Sequence, residues 1–318
     1  MLIATYNRPE LLERCLDHLR RQTTAPTQII VVDSSLDERS AEVVRARGGI
    51  TYLRNPLGRG HTATSRALGI AAAADVDVIA FIDDDAFADP DWLEQLLSRY
   101  DDPAVGGVGG RASNGIPGEE KEGWDAIGRF LPDGTLTGNF AADPGKDVAV
   151  DHLLGANMSL RMSALREVGG IQDFYPGTCL REESEIALRL RLAGYRLIYT
   201  PAAYVLHVAG PYAKGRRFDA RYSYFGQRNH LVLLGRVLGP RDRRFRRYLG
   251  VATRQLGADL AYAAGSLRRG RLVGEESVTS GVGRGLTKAA STTAGILIGL
   301  SLVWGRRVPR AQISAERG

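Results

Sequence analysis

Over the first hundred residues, short runs of consecutive apolar residues alternate with segments of helical period. Residues 2–6 (LIATY), 28–33 (QIIVVD), 50–55 (ITYLRN) and 76–83 (VDVIAFID) read as strands. The second is the continuous β-branched kind that a sheet covered on both faces requires. Between them, residues 9–22, 40–49 and 64–74 read as helices, the first opening on Pro9. In that helix Leu11, Leu12, Cys15, Leu16 and Leu19 share one face, which predicts core packing. The alternation predicts an α/β domain with a parallel sheet. Asp89-Pro90-Asp91-Trp92 reads as an N-cap, a first-turn proline and the start of a helix over 91–100.

Beyond Asp101-Asp102-Pro103 the pattern weakens. Residues 104–115 are glycine-rich and 112–148 lack a period, which predicts a long loop region. A strand-like stretch, 151–160, leads into a helix at 162–170, and 181–196 reads as a helix with Gly194 as its stop. Two short strands follow, at 195–200 and 202–208. From about Gly210 the chain reads as a helical extension. Residues 289–305 are uncharged, but at 17 residues they are at the short limit of a membrane span, so a core-packed or interfacial helix is expected there.

Composition changes this picture in one place. The chain has 318 residues, 44% hydrophobic and 25% charged, an ordinary globular balance. Its net charge of +6 is local: residues 214–247 carry one Lys and ten Arg against Asp219 and Asp242, a balance of +9, and the rest sums to −3. Phe218, Tyr222, Tyr224, Phe225, Phe245 and Tyr248 are interleaved with these cations. Such a segment fits anionic lipid, a lipid-phosphate acceptor or nucleic acid, with a solvated helix face as the plain alternative. The two cysteines, Cys15 and Cys179, form no CxxC pair, so neither a zinc site nor a disulfide framework is indicated. MLIATYNRPELL holds too short an apolar run for a secretory signal, which predicts a cytoplasmic protein. The first strand is short, as though the natural start lay upstream of Met1.

Candidate chemistry gathers at strand ends, where parallel α/β sheets bind ligands. Asp33 ends the second strand, Asp83, Asp84 and Asp85 end the fourth, and His207 closes the last. Strand alternation points Asp83 and Asp85 to one side and Asp84 to the other. Such a carboxylate pair suits oxygen ligation of Mg²⁺ or Mn²⁺; a solvated acidic turn is the plain alternative. Gly58, Gly60 and Ala63 match a loose G-x-G-x-x-A pattern with Asp83 twenty residues on, which would suit an NAD(P)-dependent Rossmann oxidoreductase. That fingerprint should open the first βαβ unit, and here two strand–helix units precede it. Glu182, Glu183 and Glu185 form a second acidic cluster at a helix start, placed either for the helix dipole or as a general base.

These residues, in this order, resemble family 2 glycosyltransferases of the GT-A fold. ATYNRPELL, IIVVDSS, FIDDDA, LLGANMSLR with ALREVGG, REESEIALRLRLAGYRLIY and AYVLH carry the resemblance over about residues 1–210. It implies an α/β fold with a mostly parallel central sheet, plus a basic helical extension over 211–318. Residues 1–100 would form the nucleotide-sugar-binding half and 101–210 the acceptor and catalytic half. It also implies metal-assisted, inverting transfer of a sugar from a nucleotide donor to an acceptor hydroxyl, with Mn²⁺ or Mg²⁺ as cofactor. On this resemblance Thr5, Tyr6 and Arg8 line the nucleotide pocket, Asp33 binds the base, and Arg66 approaches the diphosphate. Asp83 lies near the ribose with Asp84 beside it, and Asp85 and His207 lie at the metal. Glu183 would be the general base, with Glu182 the alternative, because Glu183 stands where the family usually has Asp. Ala67 stands where Asn commonly follows the arginine. The expected partners are a nucleotide-sugar donor, a hydroxyl acceptor of the lipid-linked kind, and an anionic membrane touched peripherally at the inner face; nucleic acid is not expected. An inactive transferase-like module that binds through its basic tail is the non-enzymatic alternative.

Overall fold

Burial follows the apolar pattern closely in the first hundred residues. The computed structural model describes residues 1–208, 220–273 and 276–311. In chain order its elements begin β1 (Leu2–Thr5), α1 (Pro9–Leu19), β2 (Ile30–Asp33), α2 (Arg39–Arg47), β3 (Thr51–Arg54), α3 (Thr62–Ala71) and β4 (Val78–Asp83). Next come β5 (Ala86–Ala88), α4 (Trp92–Leu97), β6 (Val105–Ser113), β7 (Val148–Val150), β8 (Asn157–Arg161), α5 (Met162–Glu167), α6 (Glu182–Leu192) and β9 (Arg196–His207). The C-terminal helices are α7 (Ala220–Val237), α8 (Arg243–Val273) and α9 (Glu276–Trp304). The opening residues of the basic segment, 214–219 with Phe218 among them, lie outside the described residues.

One sheet organises the chain, in the order β3-β2-β1-β4-β8-β6-β9-β5, with β7 also on β9. β1, β2, β3, β4, β6 and β9 run one way and β5, β7 and β8 the other, so the sheet is mixed but mostly parallel, as expected. Its two faces are covered by separate apolar clusters. One contains Leu12, Cys15, Leu16 and Trp92, the other Phe81, Met158, Ile186 and Leu190.

Three elements differ from the sequence reading. The glycine-rich run forms the central strand β6, and its glycines are there for packing. A Cβ on Gly106 would press on the Tyr195 ring, and one on Gly107 would meet Leu160, Leu197 and Leu153. The two terminal strands are one, β9, which passes through Pro201. Its register against β6 slips between Gly110↔Thr200 and Arg111↔Tyr204, so Pro201 sits in a bulge where no ladder hydrogen bond is required of it. Helix α4 starts at Trp92 with Asp91 before it and no side-chain cap, so Asp89 is not its N-cap.

The extension is joined to the sheet domain through shared core. Tyr175 and Leu188 pack with Val232, Leu233 and Val237 of α7. Phe245 and Tyr248, read as surface aromatics, are buried against Leu231 and Leu234, because α8 folds back on α7. α9 begins at Glu276, well before the uncharged stretch. Glycine weakens a helix, but at Gly285, Gly295 and Gly299 it lets α9 approach Ala263, the Tyr224 backbone and Leu231 closely. Asp259, buried between α8 and α9, accepts from Thr292 Oγ1 at 2.9 Å and lies 3.2 Å from Lys288 Nζ.

Candidate active site

The strand ladder brings the acidic wall together. β1 lies between β2 and β4, with Thr5 opposite Asp33 and Ala4 opposite Asp83, so three strand ends meet at one edge of the sheet. The chain then turns back through β5, whose antiparallel pairing puts Ala86 opposite His207. The Val208 amide donates to the Asp85 carbonyl at 2.9 Å. His207 Nε2 thereby lies 3.2 Å from Asp85 Oδ1 and 4.0 Å from Asp83 Oδ2. Residues far apart in sequence become neighbours through two strand pairings.

Strand alternation does not sort the three aspartates, because β4 ends at Asp83 and Asp84 and Asp85 lie in the turn before β5. Asp83, Asp85 and His207 each offer a ligand atom, all within 4.8 Å of one another. Two carboxylates and an imidazole form a donor set that fits a divalent cation such as Mn²⁺ or Mg²⁺. Asp84 lines the cavity at its base, is 4% exposed, and accepts from Thr5 Oγ1 at 2.7 Å. Arg8 Nη1 donates to Asp85 Oδ2 at 2.6 Å and to Asp84 Oδ1 at 3.2 Å, so this guanidinium offsets the repulsion between adjacent carboxylates. Burial lifts the Asp84 carboxyl to about 7. Burial acts on Asp85 too, but His207 and Arg8 outweigh it and hold that carboxyl below its usual range. His207, desolvated but beside Asp85 and Asp83, is raised in return.

Arg66 joins this wall to the second one. It is 4% exposed on α3 and donates through Nη2 to the Gly155 carbonyl at 2.9 Å and to Asp83 Oδ1 at 3.4 Å. Its Nη1 pairs with Glu182 Oε1 on α6. Burial disfavours the Arg66 charge, and Glu182 and Asp83 more than restore it. Burial, opposed by Arg66, pushes the Glu182 carboxyl up to about 8, and the Glu183 carboxyl is raised for the same reason. Glu182 is thus held by Arg66, whereas Glu183 is half-buried and faces the cavity beside it.

Both walls line one cavity of about 400 Å³. Thr5, Tyr6, Arg8, Asp83, Asp84 and His207 form its strand side, and Glu182 and Glu183 the opposite side, with Arg66 between them. Asp33 is placed differently. It is fully buried, and its carboxylate accepts from the Ser35 amide and the Tyr52 hydroxyl, each at 2.8 Å. Its neighbour Ser34, not Asp33 itself, is on the cavity surface. The sequence reading also did not assign to the site lining residues on four segments: 58–62, 154–156, 177–180, and Arg221 with Tyr222 on α7. The first carried a signal, because Gly58 and Gly60 both take positive φ (71° and 92°). That loop follows β3, the edge strand, and Asp83 is engaged by Arg66, so neither serves a dinucleotide fingerprint. Arg221 and Tyr222 belong to the cationic, aromatic segment, but only the packing of α7 brings them to the site.

Comparison with known proteins adds to this geometry. The family model for Glycosyl transferase family 2 matches residues 1–169. The chain is 33% identical over 196 residues to the pre-mycofactocin glycosyltransferase of Mycobacterium tuberculosis, covering 59% of this chain and 39% of that protein. It is 26% identical over 210 residues to the O-antigen chain rhamnosyltransferase RfbN of Salmonella typhimurium, covering 65% of each. The matches thus span less than two thirds of either relative. Among solved structures, the fold is similar to a mannosyltransferase of Pyrobaculum calidifontis in complex with GDP-Man and Mn²⁺. The TM-score is 0.60 at 19% identity, over 94% of this chain and 86% of that one.

Proposed function

The chain belongs to glycosyl transferase family 2, and from that premise we propose that it moves a sugar from a nucleoside-diphosphate donor to an acceptor hydroxyl, with metal assistance and inversion. The observation that carries this reading is the pairing of walls around one cavity: Asp83 and His207 on one side with Asp85 clustered beside them, Glu183 on the other, Arg66 between them. Asp85 and His207, with Asp83 beside them, would hold a divalent cation, which when bound supplies positive charge to the donor's diphosphate. Arg8 and Arg66 add fixed charge where the leaving diphosphate develops its own. Glu183 accepts the proton of the acceptor hydroxyl as that oxygen attacks the anomeric carbon. The bond from that carbon to the diphosphate oxygen breaks, and attack from the opposite face inverts the centre. Thr5 and Tyr6 line the nucleotide side, and Asp33 acts there by ordering Ser34 and Ser35.

The relative named for an O-antigen chain supports a glycan or lipid-linked acceptor, in glycan, glycolipid or glycosylated natural-product assembly. A lipid-linked acceptor places the reaction at a membrane surface, here the cytoplasmic face. Residues Gly281–Trp304 of α9 are long and apolar enough to cross a membrane by length and composition. Yet α9 packs on α7 through Gly295 and Gly299, which favours contact along the helix pair over a span. Leu286, Leu297, Ile298 and Trp304 of α9 are exposed, as are Leu260, Tyr262 and Leu267 of α8. Flotation with anionic liposomes tests this surface; binding indifferent to anionic lipid would count against it.

The central reading is tested by a binding and donor-hydrolysis screen with UDP-, GDP- and dTDP-sugars, with and without Mn²⁺. One nucleotide sugar should bind and turn over only with the metal. Binding of NAD(P)H with indifference to every nucleotide sugar would overturn it. Binding without turnover under any acceptor would favour the inactive, transferase-like alternative.

A further inference from the structure

The first turn of α6 carries Glu182 and Glu183, and it is fixed from outside the cavity. Glu185, one turn on from Glu182, is 1% exposed. Arg236 of α7, also 1% exposed, donates to the Glu185 carboxylate through Nε at 3.0 and 3.2 Å and through Nη2 at 2.9 Å. The same guanidinium donates to the Pro309 carbonyl at 2.7 Å and to Gln172 Oε1 at 2.5 Å, and stacks 3.7 Å from the Phe174 ring centroid. The Tyr175 hydroxyl donates to Glu185 from the other side. A single buried cation therefore grips α6, the 172–175 segment and the C-terminal tail together.

This grip matters because the turn has little local support. Among the described residues no side chain caps α6, and the residue before it, Arg181, is in the left-handed region at φ 84°. Cys179, two residues earlier, has φ 57°. Non-glycine residues keep such conformations only where their surroundings hold them. The loop bearing them lines the cavity from Gly177 to Leu180, and α7 fastens it too. Arg228 Nη1 donates to the Phe174 carbonyl at 2.6 Å and Asn229 Nδ2 to the Leu180 carbonyl at 3.2 Å.

We propose that Arg236 is a positioning residue: through Glu185 and Phe174 it sets the α6 first turn and the 177–181 loop, so transfer depends on this contact while nucleotide binding with the metal, at the strand side, does not. The inference rests on reading Glu183 as the base. It concerns geometry more than charge balance, because Arg189 also lies against Glu185, its Nε 3.4 Å from the carboxylate. Without Arg236, Glu185 keeps a counter-ion, but one on its own helix, whose other donors reach the Val168 and Gly170 carbonyls and not α7 or the C-terminal tail.

The test compares full-length wild type, Arg236→Lys, Arg236→Met and the double variant Glu185→Leu/Arg236→Met, using the nucleotide sugar that turns over. The double variant replaces the ion pair by apolar groups of similar size and guards against loss of folding. In Arg236→Met, kcat should fall about 10–100-fold, as displacement of a reacting group by about an ångström would cause. Affinity for the nucleotide with Mn²⁺ should stay within about twofold of wild type. Arg236→Lys should recover part of kcat, and the double variant should recover thermal stability but not kcat. Hydrogen exchange gives a readout that needs no turnover: amides of 177–185 should exchange faster in Arg236→Met while those of β1 and β4 do not. Folded variants with wild-type kcat and exchange, a parallel loss of nucleotide affinity, or full recovery of kcat in the double variant would each overturn the proposal. A wild type that transfers no sugar defeats the base assignment instead, and the exchange result still decides whether Arg236 holds the loop.

Discussion

The two walls of the cavity are built by different means. On the strand side, Asp83, Asp85 and His207 are placed by ladder register: β4 against β1, and β5 against β9. On the helix side, Glu182 and Glu183 follow a loop with two left-handed residues, and buried charges hold them to α3 and α7. A ladder fixes a side chain through many backbone bonds, each indifferent to side-chain identity. The helix wall relies on a few specific side chains, so single substitutions far from the chemistry should disturb it more.

Removing the acidic wall should have the largest effect. Asp85→Ala is expected to leave no detectable transfer, because it removes a metal ligand and a partner of both Arg8 and His207. Calorimetry should show that Mn²⁺-dependent nucleotide binding is lost with it. Glu183→Gln should lower kcat by about 10²–10⁴-fold and leave nucleotide binding intact. That split between the walls is the direct check of the comparison. Loss of nucleotide binding in Glu183→Gln, or wild-type activity, would erase it.

The first wall was legible in the sequence and the second only in part. VIAFIDDDA is an apolar run ending in carboxylates, which locates the cluster, but Asp84 and Asp85 fall in the turn after β4, so alternation does not sort them. The fold of the first hundred residues was legible because each strand and helix carries its own period. β6 was obscured because its inward positions are glycines, whose space is filled by Tyr195, Leu160 and Leu153 from elsewhere. Asp33 shows the limit of a strand-end argument: it stands at the right edge, but Tyr52 on the adjoining strand turns its carboxylate away from the cavity. Within the cationic segment, sequence alone did not distinguish Arg236, buried against Glu185, from the other arginines.

A pH profile sharpens the comparison with a smaller effect. Burial raises the Glu183 carboxyl, and Arg66 offsets this only in part. A base works unprotonated, so kcat should fall as pH drops through this raised pKa. At saturating donor the acid limb should therefore lie above the ordinary glutamate value of about 4.3. A limb at or below that value would mean that Glu183 is solvated in the working enzyme or is not the base.

The smallest effect expected here tests the ladder itself. β9 reaches His207 only after its bulge at 201–203, and that bulge lies against Gly110 of β6. A Cβ on Gly110 would overlap the Ala203 carbonyl and the Asn157 side-chain amide, which donates to that carbonyl at 2.9 Å. Gly110→Ala should therefore force the bulge outward and destabilise the fold by about 1–3 kcal/mol, read as a lower thermal midpoint. The β5–β9 pairing lies beyond the bulge and is held by its own ladder. If register governs this wall, Mn²⁺-dependent nucleotide affinity should change by less than about threefold in the variant that remains folded. A larger loss of affinity would mean that the bulge, and not the pairing, sets the position of His207, and the contrast between a ladder-built wall and a contact-built wall would have to be redrawn.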